Sequence, residues 1–382
     1  MEAPSFLNDT EWQYILTLLP NDLEESARKH KAIERQRKIK DAASLLRIVL
    51  LYCICGLSFT AIGVWWDQLG LGQLTKKAIE KRVRKAYEWI QALLCQKLSE
   101  RHQSLKPGIS GFRIRLVDAT VINRKNSAES IDWRVHTGFN LVESKIDEVE
   151  ITSNKVGESF KNYSVQPGDL MVGDRGHAHR EGIACVVERG GDVLVRLPWN
   201  TVPLEDSWGN PFDLFQALRT LREAQVGDFI VQTAPDIKRG ISAIAGRVIA
   251  LRKTPEQAEK SRRKIHEQAR KKGKNPDKKT LEAAGYIFLF TTVKQTSLSA
   301  IQALELYRLR WQIELAFKRL KGILEIDEIP VKDDTLCKTF LSAKLLGALL
   351  VEDLVSRYQN FSPWGYGLPR EIFSGTTLPL HQ

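Results

Sequence analysis

Cysteine is scarce and irregularly placed. The chain has 5 cysteines, Cys53, Cys55, Cys95, Cys185 and Cys337, scattered and mostly in apolar settings. That excludes a disulfide framework and reads as reduced core thiols. Cys53 and Cys55 fall in one expected helix, where a separation of two points them to different sides, so they make a poor zinc pair. Long apolar runs are also missing: Ile48 to Leu57 is well short of the roughly 20 residues that span a bilayer. The opening MEAPSFLNDTEW lacks the basic and apolar regions of a signal peptide, so the expected location is the cytoplasm, with no membrane partner. No internal repeat is evident. Acidic residues are outnumbered, 46 Asp and Glu against 57 Lys and Arg, leaving a net charge of +11. This favours a polyanionic partner, because each phosphate neutralised by Lys or Arg releases counterions.

At 382 residues the chain is long enough for two or three domains with a sizeable core. With 43% hydrophobic and 27% charged residues it is neither a disordered nor a membranous composition. Residues 1 to 105 read as a helical domain. Trp12, Ile15 and Leu18 start the periodicity, and a charged stretch from Arg28 to Lys40 leads into an apolar helix from Ala42 to Leu57. A short helix from Thr60 to Gln68, a turn containing Gly70 and Gly72, and a longer helix from Thr75 give a helix-turn-helix outline. Ile79, Val83, Ala86, Tyr87, Ile90 and Leu94 share one face of that helix, and Lys77, Lys81, Arg84 and Lys85 occupy the other. The basic face suits a DNA groove or backbone, or equally a solvated face of a bundle; the overall charge tips the reading toward DNA.

Lys106, Pro107 and Gly108 mark a boundary, after which the pattern alternates. In Phe112 to Ile122, Arg113 and Arg115 fall on one face, and Ile114 and Leu116 on the other. Asp118 follows the apolar face, where a lone carboxylate is costly unless it is paired or holds a metal. Trp133 to Leu141 and Lys145 to Thr152 complete an expected antiparallel meander. Leu170 to Gly173 reads as a short buried strand ending at Asp174, followed by a helix and the strand DVLVR. Residues 201 to 285 contain two more strand patterns and a strongly basic run from Thr254 to Lys279, read either as a partly disordered arm or as a clamp for phosphates. The strand Tyr286 to Val293 returns to the core, and Phe340 to Tyr358 reads as another apolar helix.

The stretch from Ala303 to Leu324, ALELYRLRWQIELAFKRLKGIL, is expected to form one long helix. Leu306, Leu309, Ile313, Ala316, Leu320 and Leu324 fall on one side. Tyr307, Arg310, Trp311, Glu314 and Lys321 share the opposite side within an arc of roughly 100°.

The spacing of Tyr307, Arg310, Glu314 and Lys321 resembles the YREK signature of DDE transposases in the bacterial insertion-sequence-four family. Asp118 within VDAT and Asp174 within GDRG resemble that family's first two catalytic positions, and both precede Glu314, which matches the third. His177 departs from the pattern, since the family more often has an aromatic residue after Asp-Arg-Gly. The resemblance implies an α/β fold: a ribonuclease-H-like catalytic core (110–200 and 286–325) split by a mainly β insertion (201–285). An all-α N-terminal DNA-binding domain (1–105) would precede the core, and a C-terminal helical region (326–382) would follow it.

Three carboxylates from two strands and a helix can hold two divalent ions about 3.5 to 4 Å apart, which stabilise the entering and leaving oxygens of phosphodiester chemistry. Oxygen-only ligands favour Mg²⁺, with Mn²⁺ as a substitute. Asp118 would bridge both ions, and Asp174 and Glu314 would each hold one. Tyr307, Arg310, Lys321 and Arg175 would grip phosphates. Trp311 would either stack on an unpaired base or pack beneath the site. His136, His177 and His179 lack zinc-ligand spacing and read as structural or DNA-contacting. Asp132, Asp147 and Glu150 are the substitutes in the cluster should the strands be set otherwise. The expected activity is cleavage at transposon ends and transfer of the 3′ hydroxyl into target DNA, by a homodimer bound to the terminal repeats and associated with the bacterial nucleoid. An inactive end-binding regulator and a nuclease with the same core are the alternatives.

Overall fold

The structure is a computed structural model that describes residues 10–34, 38–103, 111–124, 131–142, 145–310, 328–331 and 333–359. Up to Gln103 the described residues contain only helices: α1 (Thr10–Leu16), α2 (Leu23–Lys29), α3 (Ala42–Cys53), α4 (Phe59–Gln68), α5 (Lys76–Lys85) and α6 (Tyr87–Gln103). Their starts are written locally. Asp41 accepts from Ser44 N, Ser58 from Ala61 N and Thr75 from Ala78 N, each cap contributing about 1 kcal/mol. The longer helix expected from Thr75 divides at Ala86, whose N–H reaches both Arg82 O and Val83 O. This tight turn lets Ile79 and Val83 of α5, and Trp89, Ile90 and Leu93 of α6, all become fully buried.

The strands are β1 (Arg113–Arg124), β2 (Ile131–Asn140), β3 (Lys145–Ser153), β4 (Asp169–Gly173), β5 (Asp192–Arg196), β6 (Leu204–Glu205), β7 (Val226–Thr233), β8 (Ile244–Arg252), β9 (Tyr286–Thr291) and β10 (Glu328–Ile329). They form one sheet in the order β3-β2-β1-β4-β5-β9-β8-β7-β6, with β10 parallel to β1 off this path. The first three are an antiparallel meander. β1, β4 and β5 run parallel, and α7 (Arg180–Glu188) makes the crossover between the last two. From β5 onward the neighbours are antiparallel. Helices α8 (Leu214–Arg219), α9 (Pro255–Lys271) and α10 (Lys278–Ala283) accompany this second half. Its strands continue the same sheet. The basic run after Thr254 is an ordered helix, α9, started by the Thr254 side chain and a proline in the first turn.

Each face of the sheet carries its own core. Ile114, Leu116, Leu170 and Val172 pack with the N-terminal helices, α11 (Ala300–Leu309) and α12 (Asp334–Gln359). Val117, Met171, Val193 and Phe290 pack on the other side with Phe160, Tyr163 and α7. Alternation along β1 therefore divides side chains between two interiors, and this corrects the simple apolar-against-polar reading of that strand. Arg115 does not face solvent; it is 0% exposed. It reaches past Gly138 of β2, where a Cβ would lie 2.6 Å from Asp147 Oδ1 and 2.9 Å from Arg115 Nη2. Beyond that gap it donates to Asp147 (2.7 Å), Glu148 (2.6 Å) and Ser164 O.

The long helix expected from Ala303 is described as α11 as far as Leu309, with Arg310 as its C-cap. Trp311, Glu314 and Lys321 lie outside the described residues. All five cysteines named above are free thiols, with Cys53 and Cys337 buried. Among the described residues, no helix is long and apolar enough to cross a membrane.

Candidate active site

Asp118 and Asp174 come together through strand register. β1 and β4 are parallel neighbours, with Ile114 opposite Leu170 and Leu116 opposite Val172. Two residues further along each chain lie Asp118 and Asp174, on the same face as those apolar pairs. Asp118 is still within β1, whereas Asp174 follows the last residue of β4 and begins a short 3-10 turn, Arg175–His177. Asp118 Oδ1 accepts from Ala119 N at 2.9 Å. Asp174 Oδ1 accepts from Gly176 N at 2.8 Å and from His177 Nδ1 at 3.0 Å. Among the described residues, neither Oδ2 has a hydrogen-bond partner. Thr137, directly across from Asp118 on β2, also keeps a buried hydroxyl without a partner among them.

Burial pushes the Asp118 carboxyl up to about 6; the Asp174 charge adds to that rise, and the Ala119 N–H, His177 and Arg310 oppose it. Asp174 lies in the other direction. Burial would raise it, but the hydrogen bond and charge of His177, the Gly176 N–H and Arg310 together hold it below the usual carboxylate value. The two carboxylates thus repel one another in a partly desolvated place, and a cation between them would relieve both.

α11 supplies the third side. Ser299 and Gln302 form a reciprocal capping box at its start, and Ala303 and Leu306 anchor it in the core. Tyr307 and Arg310 are thereby presented to the carboxylates, with the Arg310 guanidinium 5.8 Å from the Tyr307 ring centroid. Burial raises the Tyr307 hydroxyl above its ordinary value, tempered by Arg310 and Arg196. Arg175 is exposed beside Asp174. Beyond it a cationic border continues, since burial and the charges of Arg196 and Arg175 bring the Lys253 ammonium down to about 8.

Residues 109–349, more than half of the chain, match the family described as Transposase DDE domain. The chain belongs to this family of DDE transposases. It is 33% identical over 360 residues to the putative transposase InsL for insertion sequence element IS186A of Escherichia coli (strain K12), covering 93% of this chain and 97% of that protein. It is 34% identical over 361 residues to the transposase for IS421 of Escherichia coli, with the same shares, 93% and 97%. The transposase for IS231F of Bacillus thuringiensis subsp. israelensis is 25% identical over 370 residues, which is 87% of this chain and 77% of that protein. Among solved structures, the piggyBac transposase synaptic complex with hairpin DNA has a TM-score of 0.46 and 5% identity, over 91% of this chain and 73% of that one.

The transposase is therefore a DNA-cleaving, strand-transferring enzyme, and its domain implies a divalent metal. The donor set fits one: two adjacent carboxylates, each with an oxygen free of protein partners among the described residues. Glu158, Asp174 and His177 also offer ligand atoms all within 4.8 Å of one another.

Of the residues read from the sequence, the structure gathers Asp118, Asp174, Arg175, Tyr307 and Arg310. The N-terminal cations lie apart on α5. Arg84 is held by Asp333 (2.8 Å) and Glu80 (3.0 Å), and Lys85 by Glu34 (2.8 Å), while Lys77 and Lys81 are exposed. Of the substitute carboxylates, Asp147 is occupied by Arg115, Glu150 is exposed on β3, and the Asp132 side chain lies outside the described set. His136 is buried away from the carboxylates, between Thr152 Oγ1 (2.9 Å) and Asn162 Nδ2 (3.3 Å). His179 begins α7 without a side-chain cap bond. Glu158 and Tyr163 carry no local motif and were not legible as site residues. Tyr163 donates its hydroxyl to the backbone carbonyl of Asp118 at 2.9 Å.

Proposed function

We propose that this chain is an insertion-sequence transposase of the insertion-sequence-four type, in which Asp118, Asp174 and Glu314 are the catalytic carboxylates. The observation that carries the reading is the parallel register that sets Asp118 and Asp174 side by side on one face, with an open oxygen on each. The order β3-β2-β1-β4-β5 with parallel β1, β4 and β5 supports a ribonuclease-H-like core over 110–200 and 286–325, with 201–285 as its β-rich insertion. The helices before residue 105 form the all-α DNA-binding domain in this reading, and 326–382 a C-terminal helical region.

Two Mg²⁺ ions, replaceable by Mn²⁺, would be held by Asp118, Asp174 and Glu314, and would supply an activated water and stabilise charge on the leaving oxygen. The chain's own residues do the rest. Arg310 and Arg175 carry positive charge to the scissile phosphate, Arg310 as a bidentate donor. Tyr307, kept neutral, donates a hydrogen bond to the same backbone. Lys321 and Trp311 complete the grip on the transposon end, and Lys77, Lys81, Arg84 and Lys85 of α5 bind the terminal repeat. The working form is a cytoplasmic, nucleoid-associated homodimer that brings both ends together.

The test is cleavage and joining of DNA bearing the element's own ends, with Mg²⁺ or EDTA, by wild type, Asp118→Ala, Asp174→Ala and Glu314→Ala. Metal-dependent cutting that disappears in all three variants while end binding survives is the expected result. Binding of the ends without cutting by the wild type, under Mg²⁺ or Mn²⁺, would replace this reading with that of an inactive end-binding regulator.

A further inference from the structure

His177 is an unusual neighbour for a catalytic carboxylate. Its side chain is 0% exposed, lying 5.2 Å from the Phe160 ring and 5.9 Å from the Tyr163 ring, centroid to centroid. Its Nδ1 is 3.0 Å from Asp174 Oδ1, and a carboxylate oxygen only accepts, so the proton of that bond belongs to Nδ1. Its Nε2 is buried without a hydrogen-bond partner among the described residues. The geometry therefore directs an Nδ1–H at Asp174 and leaves Nε2 without a protein partner among the described residues. Gly176 N donates to the same Oδ1, so both donors grip one oxygen and leave the other open.

The opposite carboxylate is tied to the same block. The Tyr163 ring that packs on His177 ends in the hydroxyl that holds the Asp118 carbonyl. Tyr163 is itself 2% exposed, with the His136 ring 6.1 Å away at nearly a right angle. One rigid aromatic and imidazole unit thus sets the backbone at Asp118 and the side chain at Asp174.

We propose that His177 is a positioning residue for Asp174: its Nδ1–H pins Oδ1, so that Oδ2 alone is presented to a divalent cation. This rests on the reading of Asp174 as a cation ligand. An imidazole does here what an apolar aromatic ring in the same place does not, because a phenyl ring fills the space against Phe160 and Tyr163 but leaves Oδ1 held by the Gly176 N–H alone. Partners of this kind, one bond out from a ligand, typically change metal affinity 10- to 100-fold when removed.

The experiment measures Mn²⁺ binding to the full-length protein without DNA, by calorimetry, for wild type, His177→Phe, His177→Asn and Asp174→Ala. Asparagine places an amide N–H near the position of Nδ1. The expected result is affinity about 10-fold weaker in His177→Phe, restored to within about 3-fold of wild type in His177→Asn, with unchanged thermal unfolding of the metal-free proteins. If His177→Phe binds Mn²⁺ as the wild type does while Asp174→Ala does not, the positioning role is refuted and the ligand reading stands. If Asp174→Ala binds as the wild type does, the ligand reading itself fails and the proposal goes with it. Equal weakness in His177→Asn and His177→Phe assigns the effect to packing and overturns the proposal. The wild type gives an independent answer even where a variant fails to fold. Nitrogen-15 spectra of histidine-labelled protein should show the His177 ring protonated at Nδ1; a ring protonated only at Nε2 refutes the hydrogen bond.

Discussion

Replacing Arg115 by alanine should be among the most damaging single changes outside the carboxylate site. The guanidinium is fully buried and binds Asp147 at 2.7 and 3.3 Å and Glu148 at 2.6 Å. Burial works against its charge, yet Asp147 and Glu148 more than offset this, so it stays charged. Glu148 keeps other partners in Ser164 N and Oγ. Asp147, only 2% exposed, would lose the guanidinium that binds both of its oxygens. Breaking one partner of such a pair costs about 3–5 kcal/mol. The same guanidinium holds Ser164 O, next to Tyr163, so the loss would also loosen the Asp118 backbone. Urea denaturation followed by tryptophan fluorescence measures the first effect. The double variant Arg115→Met with Asp147→Leu should recover at least half of the loss, because it removes both charges. The pH dependence has a definite sign. Without Arg115 the folded-state pKa of Asp147 rises above its unfolded value of about 3.9. The penalty is then full above the raised pKa and shrinks as pH falls through it, so the deficit should be smaller at low pH than at neutral pH. A loss below about 1 kcal/mol, or a double variant no better than the single one, would refute this account.

Three further outcomes follow from other parts of the fold. Gly246→Ala would place a Cβ 2.5 Å from the Phe290 ring and 2.7 Å from Thr291 O, so it should destabilise by about 1–3 kcal/mol in the same denaturation assay. Burial, together with the charges of Arg134 and His177, takes His136 down to about 4. A histidine with a depressed pKa contributes stability that is full above its unfolded value of about 6.5 and is lost as pH falls toward 4, so the urea midpoint of His136→Asn should fall less steeply with acidification than that of the wild type. In anisotropy titrations on end DNA, Lys77→Ala and Lys81→Ala should each lower the salt slope by about 1, whereas Arg84→Ala, whose charge is shared with Asp333 and Glu80, should not.

The elements were largely legible because their signals are local. Alternation marked β1, β2 and β3 within a residue or two of their observed ends, and Thr75 marked a helix start. The break at Ala86 was not legible, since the apolar stripe runs through it unbroken and only packing decides where the axis bends. The basic run after Thr254 was misleading for a related reason. Charge composition alone cannot separate a solvated coil from a helix, whereas the Thr-Pro start and the turn-by-turn bonding can.

By itself, the sequence determined that Asp118 lies on an apolar strand face and Asp174 at a strand end, and it placed Tyr307 and Arg310 one helical turn apart. Each of these is a matter of neighbouring residues obeying a period of two or of 3.6. Only the tertiary structure decided that β1 and β4 run side by side in the register that joins the two carboxylates. It likewise decided that Arg115 is an interior residue, that His177 reaches the Asp174 carboxylate, and that Tyr163 holds the backbone carbonyl of Asp118. Such pairings join segments far apart in the chain, and their free energy depends on burial and partner geometry that no local window contains.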